Sequence, residues 1–287
     1  MTGHALTYSE ACRDPALFGP WFDGESWAAW RVIEKALFGE PLADAELAIF
    51  KELTGRDEAP TAPAGEAWFV CGRRSGKDVR AASIAAYLAT IGAEIFNYRQ
   101  HLTRGERGVV QLLAVDRDQA KVCLGYLKAM FEQPMLARMV AKDTAEGLDL
   151  TNGLGIEITT NDKRRVRGRT VIATIFDEVA FWRAENSANP DDDVYKAVKP
   201  AFGSWPAPRP RYSGLAIKMT DRAMRQCRPW VFEERRRSWR RPRLLRSSNT
   251  HGATVPVAVC LQPFALPNRA WARRQRRSVM ALPAPAI

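Results

Sequence analysis

Lys77 stands next to last in the stretch W-F-V-C-G-R-R-S-G-K-D at 68–78, and far downstream Asp177 and Glu178 close the run V-I-A-T-I-F-D-E at 171–178. A lysine in a glycine-containing turn can hold phosphate charge, and two consecutive carboxylates can hold a cation and activate water. The elements around the lysine suit that chemistry. Residues 68–71 form a short apolar run of the kind found in buried strands, and 79–91 (V-R-A-A-S-I-A-A-Y-L-A-T-I) is Ala-rich and helix-forming. A strand, a turn with Gly72 and Gly76, a lysine and then a helix lets backbone N–H groups and the helix N-terminus wrap phosphates. Arg74 and Ser75 complete the turn. The pattern G-x-x-x-x-G-K-[ST] is met imperfectly, because Cys71 holds the first glycine position and Asp78 the place of the hydroxyl that meets Mg²⁺. The plain alternative is a glycine-containing turn ahead of a surface helix.

The second element favours the phosphate reading. Residues 171–176 are apolar and β-branched, as in a buried parallel strand, and such strands deliver the residues at their C-terminal ends to the ligand site of an open α/β sheet. Asp177 would then hold the Mg²⁺ of a nucleotide, and Glu178 would orient or deprotonate the attacking water. An acidic pair that merely caps the next helix is the competing account.

With these residues in view the chain resembles the large terminase subunit of tailed phages, specifically its ATPase domain. The resemblance rests on C-G-R-R-S-G-K at 71–77, L-L-A-V-D-R-D-Q-A at 112–120, V-R-G-R-T at 166–170 and I-F-D-E-V-A-F-W-R at 175–183, and spans about 14–202. It implies ATP and Mg²⁺ as ligands, with Gly72, Arg74, Ser75, Gly76, Lys77 and Asp78 around the nucleotide, Asp177 on the metal and Glu178 as the catalytic carboxylate. In some members an arginine four residues before the lysine acts as a finger on the γ-phosphate, and here that position is Arg73. The resemblance further implies double-stranded DNA, a small terminase subunit and a portal protein as partners, a homo-oligomeric ring and a place in the cytoplasm of a bacterial host. A different P-loop motor, such as a helicase, is a rival within the same chemistry. A prophage remnant that binds nucleotide or DNA without turnover is the alternative from another class.

The expected fold is α/β, a P-loop NTPase of the ASCE type, with a mostly parallel sheet flanked by helices. Three regions follow: a helical N-terminal segment (1–60), the ATPase domain (61–202) and an irregular Arg/Pro-rich tail (203–287). Hydrophobic residues make up 46% of the chain, which is ordinary for a globular protein. Five cysteines without a C-x-x-C pair and three scattered histidines give no zinc or disulfide framework, which fits a reducing compartment. The sequence offers neither a signal-peptide pattern nor an apolar run of about eighteen residues, so no membrane partner is expected.

The formal net charge is +11, and it is unevenly placed. From residue 201 onward, 17 arginines and one lysine face three carboxylates, whereas the first 200 residues carry a slight acidic excess. A basic run K-R-R-V-R-G-R at 163–169 places Arg165, Arg167 and Arg169 ahead of the acidic strand, where they could contact DNA or a neighbouring subunit, or form a solvated turn.

In chain order, Ser26 is expected to cap a helix with Trp27, Trp30, Ile33 and Leu37 on its apolar face. A second helix runs from about Asp44 to Gly55, and 56–65 is a connector. The polar segment 98–108 reads as an exposed loop. A strand over 109–115 and a helix over 118–131 follow, then a hairpin across Asn152-Gly153. A polar loop at 184–193 and a short helix at 194–198 come after the acidic pair. Beyond Phe202 the spacing supports no strand or helix, and neither a Ser/Thr-rich coupling motif nor a nuclease carboxylate cluster is evident. Three readings of this tail stand open: an arginine-rich DNA-binding arm, a divergent folded domain, or translation out of the ancestral frame.

Overall fold

In the computed structural model, residues 6–71, 74–160, 169–182, 215–220, 245–248 and 254–263 are described. The strands are β1 (Ala64–Cys71), β2 (Gly108–Ala114), β3 (Val140–Thr144), β4 (Gly147–Leu150), β5 (Leu154–Thr160), β6 (Thr170–Phe176), β7 (Leu215–Thr220), β8 (Leu245–Ser248) and β9 (Thr254–Pro263). They form one sheet in the order β3-β4-β5-β2-β6-β7-β1-β9-β8. The central run β5-β2-β6-β7-β1 is parallel, and antiparallel strands extend it on both sides. Strand β7 separates β1 from β6, a place that the sequence reading filled with no strand. β2 and β6 are buried along nearly their whole length, as expected of central parallel strands that are apolar apart from Gln111, Thr170 and Thr174.

The helices are α1 (Tyr8–Ala11), α2 (Gly19–Phe22), α3 (Ala28–Leu37), α4 (Asp44–Thr54), α5 (Lys77–Ala89), α6 (Ile91–Phe96), α7 (Arg117–Met130) and α8 (Pro134–Ala137). Helix α5 follows β1 after the turn, and α7 follows β2. The Asp116 carboxylate caps α7 by accepting from the Asp118 and Gln119 N–H groups. α5 and α7 pack against each other and against β2 and β5. The small side chains of α5, Ala81, Ala82, Ala85, Ala86 and Ala89, are all fully buried, so this helix can approach its neighbours closely.

The N-terminal helices share the same hydrophobic core as α5 and the sheet. The Tyr8 hydroxyl is 2.7 Å from Ser83 Oγ, and the Tyr87 hydroxyl donates to the Leu6 carbonyl. Trp30, Ile33 and Leu37 face inward as expected, and Gly55 ends α4 in the left-handed conformation. Ser26 does not cap α3: it lies inside a 3₁₀ turn, Glu25–Trp27, and Trp27 takes the cap position without a side-chain hydrogen bond.

Three further differences from the sequence reading have physical causes. Strand β1 begins at Ala64, inside the expected connector, because parallel pairing with β7 and antiparallel pairing with β9 extend it backward. The segment 98–108 is not wholly exposed, since Tyr98 starts a 3₁₀ turn and is completely buried against Phe96. Beyond Phe202, where no strand was expected, L-A-I-K-M-T enters the middle of the sheet as β7 with Ile217 and Met219 buried. Six residues give too little alternation to stand out among arginines and prolines. In β9 the interior Pro256 obscures the strand pattern, yet it pairs with Arg246 of β8 near the sheet's edge. The expected loop at 184–193 and helix at 194–198 lie outside the described residues, as does most of the basic tail.

Candidate active site at the strand ends

The C-terminal ends of β1 and β6 bring the candidate residues together. β1 stops at Cys71, and the chain returns through Arg74, Ser75 and Gly76 to start α5 at Lys77. β6 stops at Phe176, and the Asp177 N–H donates to the Leu113 carbonyl of β2 at 2.8 Å, prolonging the sheet by one residue. Lys77 Nζ lies 2.9 Å from Asp177 Oδ1, 3.1 Å from Glu178 Oε1 and 2.5 Å from Asp78 Oδ1. One ammonium therefore faces three carboxylates.

This cluster is withdrawn from water. Lys77 and Glu178 are nearly fully buried and Asp177 completely so. Burial pushes the Asp177 carboxyl up to about 6; the Lys77 ammonium opposes that rise and the Asp78 carboxylate adds to it. Burial also disfavours the Lys77 ammonium, but Asp177, Asp78 and Glu178 together outweigh it and hold the lysine charged, above its ordinary range. Among the described residues Asp177 Oδ2 is buried without a hydrogen-bond partner. A buried carboxylate oxygen left bare is where a cation fits, so the residues present suit a Mg²⁺ ion held by Asp177 with Asp78 at its side. Glu178 has φ +52° and ψ +40°, a left-handed conformation costly for a residue with a Cβ. The turn that follows is tied back by the Trp182 indole N–H, which donates to the Asp177 carbonyl at 2.8 Å.

The turn at 74–76 is gripped from the other side by the N-terminal helices. The Trp30 indole N–H donates to the Ser75 carbonyl at 2.8 Å. Trp27 lies over Gly76, where a Cβ would fall 2.4 Å from the ring. Gly76 also has φ +82°, so glycine is required there twice over. One turn into α5, the fully buried Arg80 pairs with Glu34 of α3 at 2.9 Å and stacks on the Phe22 and Trp27 rings.

No family model matches the chain, and no curated protein matches it. The solved structures similar to it include three of phage large terminases. The HK97 bacteriophage large terminase has 18% identity and a TM-score of 0.41, over 69% of this chain and 38% of that one. The large terminase ATPase domain of Thermus phage P74-26 has 16% identity and a TM-score of 0.42, over 86% of this chain and 90% of that one. An arginine-to-alanine mutant of that domain has 17% identity and a TM-score of 0.38 over the same shares. This chain thus spans well under half the length of the HK97 protein.

Of the residues singled out from the sequence, Ser75, Gly76, Lys77, Asp78, Asp177 and Glu178 converge. Arg74 belongs to the same turn with φ +62° and is exposed. Gly72, Arg73, Arg165 and Arg167 lie outside the described residues. Arg169 sits at the opposite end of β6, paired with Glu157 at 3.3 Å. A seven-residue strand separates it from Asp177, roughly 20 Å or more, so it does not reach this chain's Lys77. Sequence reasoning missed Cys123 of α7, whose Sγ lies within 4.8 Å of ligand atoms of Asp78 and Asp177. It also missed the Glu34–Arg80 pair; it read the tryptophans as core anchors, which Trp30 is, but not also as supports of the turn. Among the described residues no helix is long and apolar enough to cross a membrane.

Proposed function

We propose that the chain is a terminase-like ATPase that hydrolyses ATP to drive double-stranded DNA into a phage capsid. The observation that carries the reading is the convergence of Lys77, Asp177 and Glu178 at the C-terminal ends of β1 and β6, with β7 between them. In the structure the lysine is neutralised internally. An entering triphosphate would replace the carboxylates as its partner, because phosphate oxygens offer more charge and a turn ahead of a helix N-terminus offers backbone N–H groups to an anion. Release from Lys77, 3.1 Å away, would leave Glu178 free to accept a proton from the attacking water. Asp177 and Asp78 would hold Mg²⁺, which when bound offsets phosphate charge. Arg73 is proposed as the residue that meets charge developing on the γ-phosphate.

Double-stranded DNA as the substrate for translocation draws support from Arg165, Arg167, Arg169 and the arginine-rich tail, since such charge neutralises backbone phosphates. A portal, a small subunit and a ring of copies would complete the motor. Nuclease activity is not proposed for this chain. The direct test pairs steady-state phosphate release with nucleotide binding in the wild type and in Glu178→Gln. The reading requires the variant to keep ATP binding and lose hydrolysis by orders of magnitude; unchanged hydrolysis in Glu178→Gln overturns the assigned role.

One observation favours a second reading, nucleotide binding without turnover. Asp78 replaces the usual hydroxyl and is itself bonded to Lys77, so it competes with phosphate for the lysine.

A further inference from the structure

We infer that Asp78, Cys123 and Asp177 form a site for a borderline divalent cation, of the class that accepts thiolate and carboxylate together, such as Zn²⁺, Co²⁺ or Cd²⁺. The site shares two carboxylates with the nucleotide reading but does not depend on it, because the cation needs no phosphate to bind.

Three observations converge on it. One ligand atom from each of the three residues lies within 4.8 Å of the others, close enough for modest side-chain rotation to bring them onto one ion. Asp177 is fully buried, and its Oδ2 has no hydrogen-bond partner among the described residues, so one ligand is already stripped of water and bare. Charge is also unbalanced: Asp78, Asp177 and Glu178 surround the single ammonium of Lys77, and a dication bound with the Cys123 thiolate would reduce the excess from two negative charges to one.

The placement follows from the fold. Asp78 opens α5, Asp177 ends β6, and Cys123 projects from α7, which packs along α5. Cys123 is fully buried and reduced, and the nucleotide chemistry makes no use of it. A sulfur ligand shifts preference away from Mg²⁺ and toward borderline ions, which bind thiolate well. On binding, the Cys123 thiol gives its proton to solvent and the sulfur lone pair forms the metal–sulfur bond, with no change in oxidation state. Lys77 competes for the same carboxylates, so the cation and the ammonium exclude one another in part.

The test uses the full chain without nucleotide and titrates Cd²⁺ or Co²⁺, reading the ultraviolet thiolate-to-metal charge-transfer band. The band is expected in the wild type, in Cys12→Ser and in Cys71→Ser, and it should be lost in Cys123→Ser with an unchanged circular dichroism spectrum. No band in the wild type, or a band that survives in Cys123→Ser, overturns the proposal. Asp78→Ser keeps the thiol and serves if Cys123→Ser folds poorly; its Cd²⁺ affinity should fall by at least the roughly tenfold that loss of even an outer partner costs, and an unchanged affinity counts against the site. Lys77→Ala separates this inference from the ATPase reading, since it should abolish nucleotide hydrolysis yet tighten Cd²⁺ binding. A band in a protein that fails to bind ATP would defeat only the ATPase reading, and ATP binding without a band would defeat only this one.

Discussion

The indole N–H of Trp30 donates to the carbonyl oxygen of Ser75 at 2.8 Å, so a side chain from α3 holds the backbone of the turn before Lys77 in place. Trp27, one helical turn earlier, covers Gly76 in the same turn. The N-terminal helices thus brace the site as well as completing the core.

Trp30→Phe keeps the ring but removes the donor, leaving the buried Ser75 carbonyl unpaired. The expected cost is about 1–3 kcal/mol, read as a lower denaturant midpoint, together with weaker nucleotide binding. Loss of stability with unchanged nucleotide affinity would mean that the turn does not need this support.

Gly76→Ala would put a Cβ against the Trp27 ring at a left-handed φ. Nucleotide affinity should drop severely, and Gly76→Ala combined with Trp27→Ala should recover less than half of the loss, because the backbone strain remains. Full recovery in the double variant would place the whole effect in the ring contact.

Asp78→Ser removes one of the three carboxylates on Lys77 and restores a hydroxyl at the metal position. ATP affinity and hydrolysis are both expected to rise. A fall in rate would show that the carboxylate itself takes part in catalysis.

Glu34 gives a pH signature distant from the reacting atoms. Burial pushes its carboxyl up to about 7, against the pull of Arg80 and of the Tyr8 hydroxyl. A folded-state value above the unfolded one means that its contribution to stability is fully present below the unfolded value and is lost as pH rises through about 7. Thermal melts from pH 5 to 8 should therefore show the wild type losing stability relative to Glu34→Gln as pH increases. A constant difference between the two would contradict the raised value.

Much of this was legible in the sequence, and the limits have physical causes. The turn before Lys77 and the strand before Asp177 announce themselves because long apolar runs and a glycine-lysine turn are local signals. Their convergence, the parallel core and the Asn152-Gly153 hairpin follow from the same signals. Cys123 carries no such mark: it reads as one apolar position of α7, and only the packing of α7 on α5 brings it near Asp78. β7 escapes because a short strand in the centre of a sheet is defined by its neighbours, and Lys218 within it masks the apolar character. Glu34 and Arg80 carry no local mark of burial, and only pairing across two helices lets both charges be buried.

The most direct measurement is ATP binding and phosphate release by the full chain beside Lys77→Ala. The account predicts that the wild type binds and hydrolyses ATP and that the variant loses both, with the fold retained. Hydrolysis that persists in Lys77→Ala, or a wild type that neither binds nor hydrolyses ATP, would contradict the assignment of this cluster as a nucleotide site.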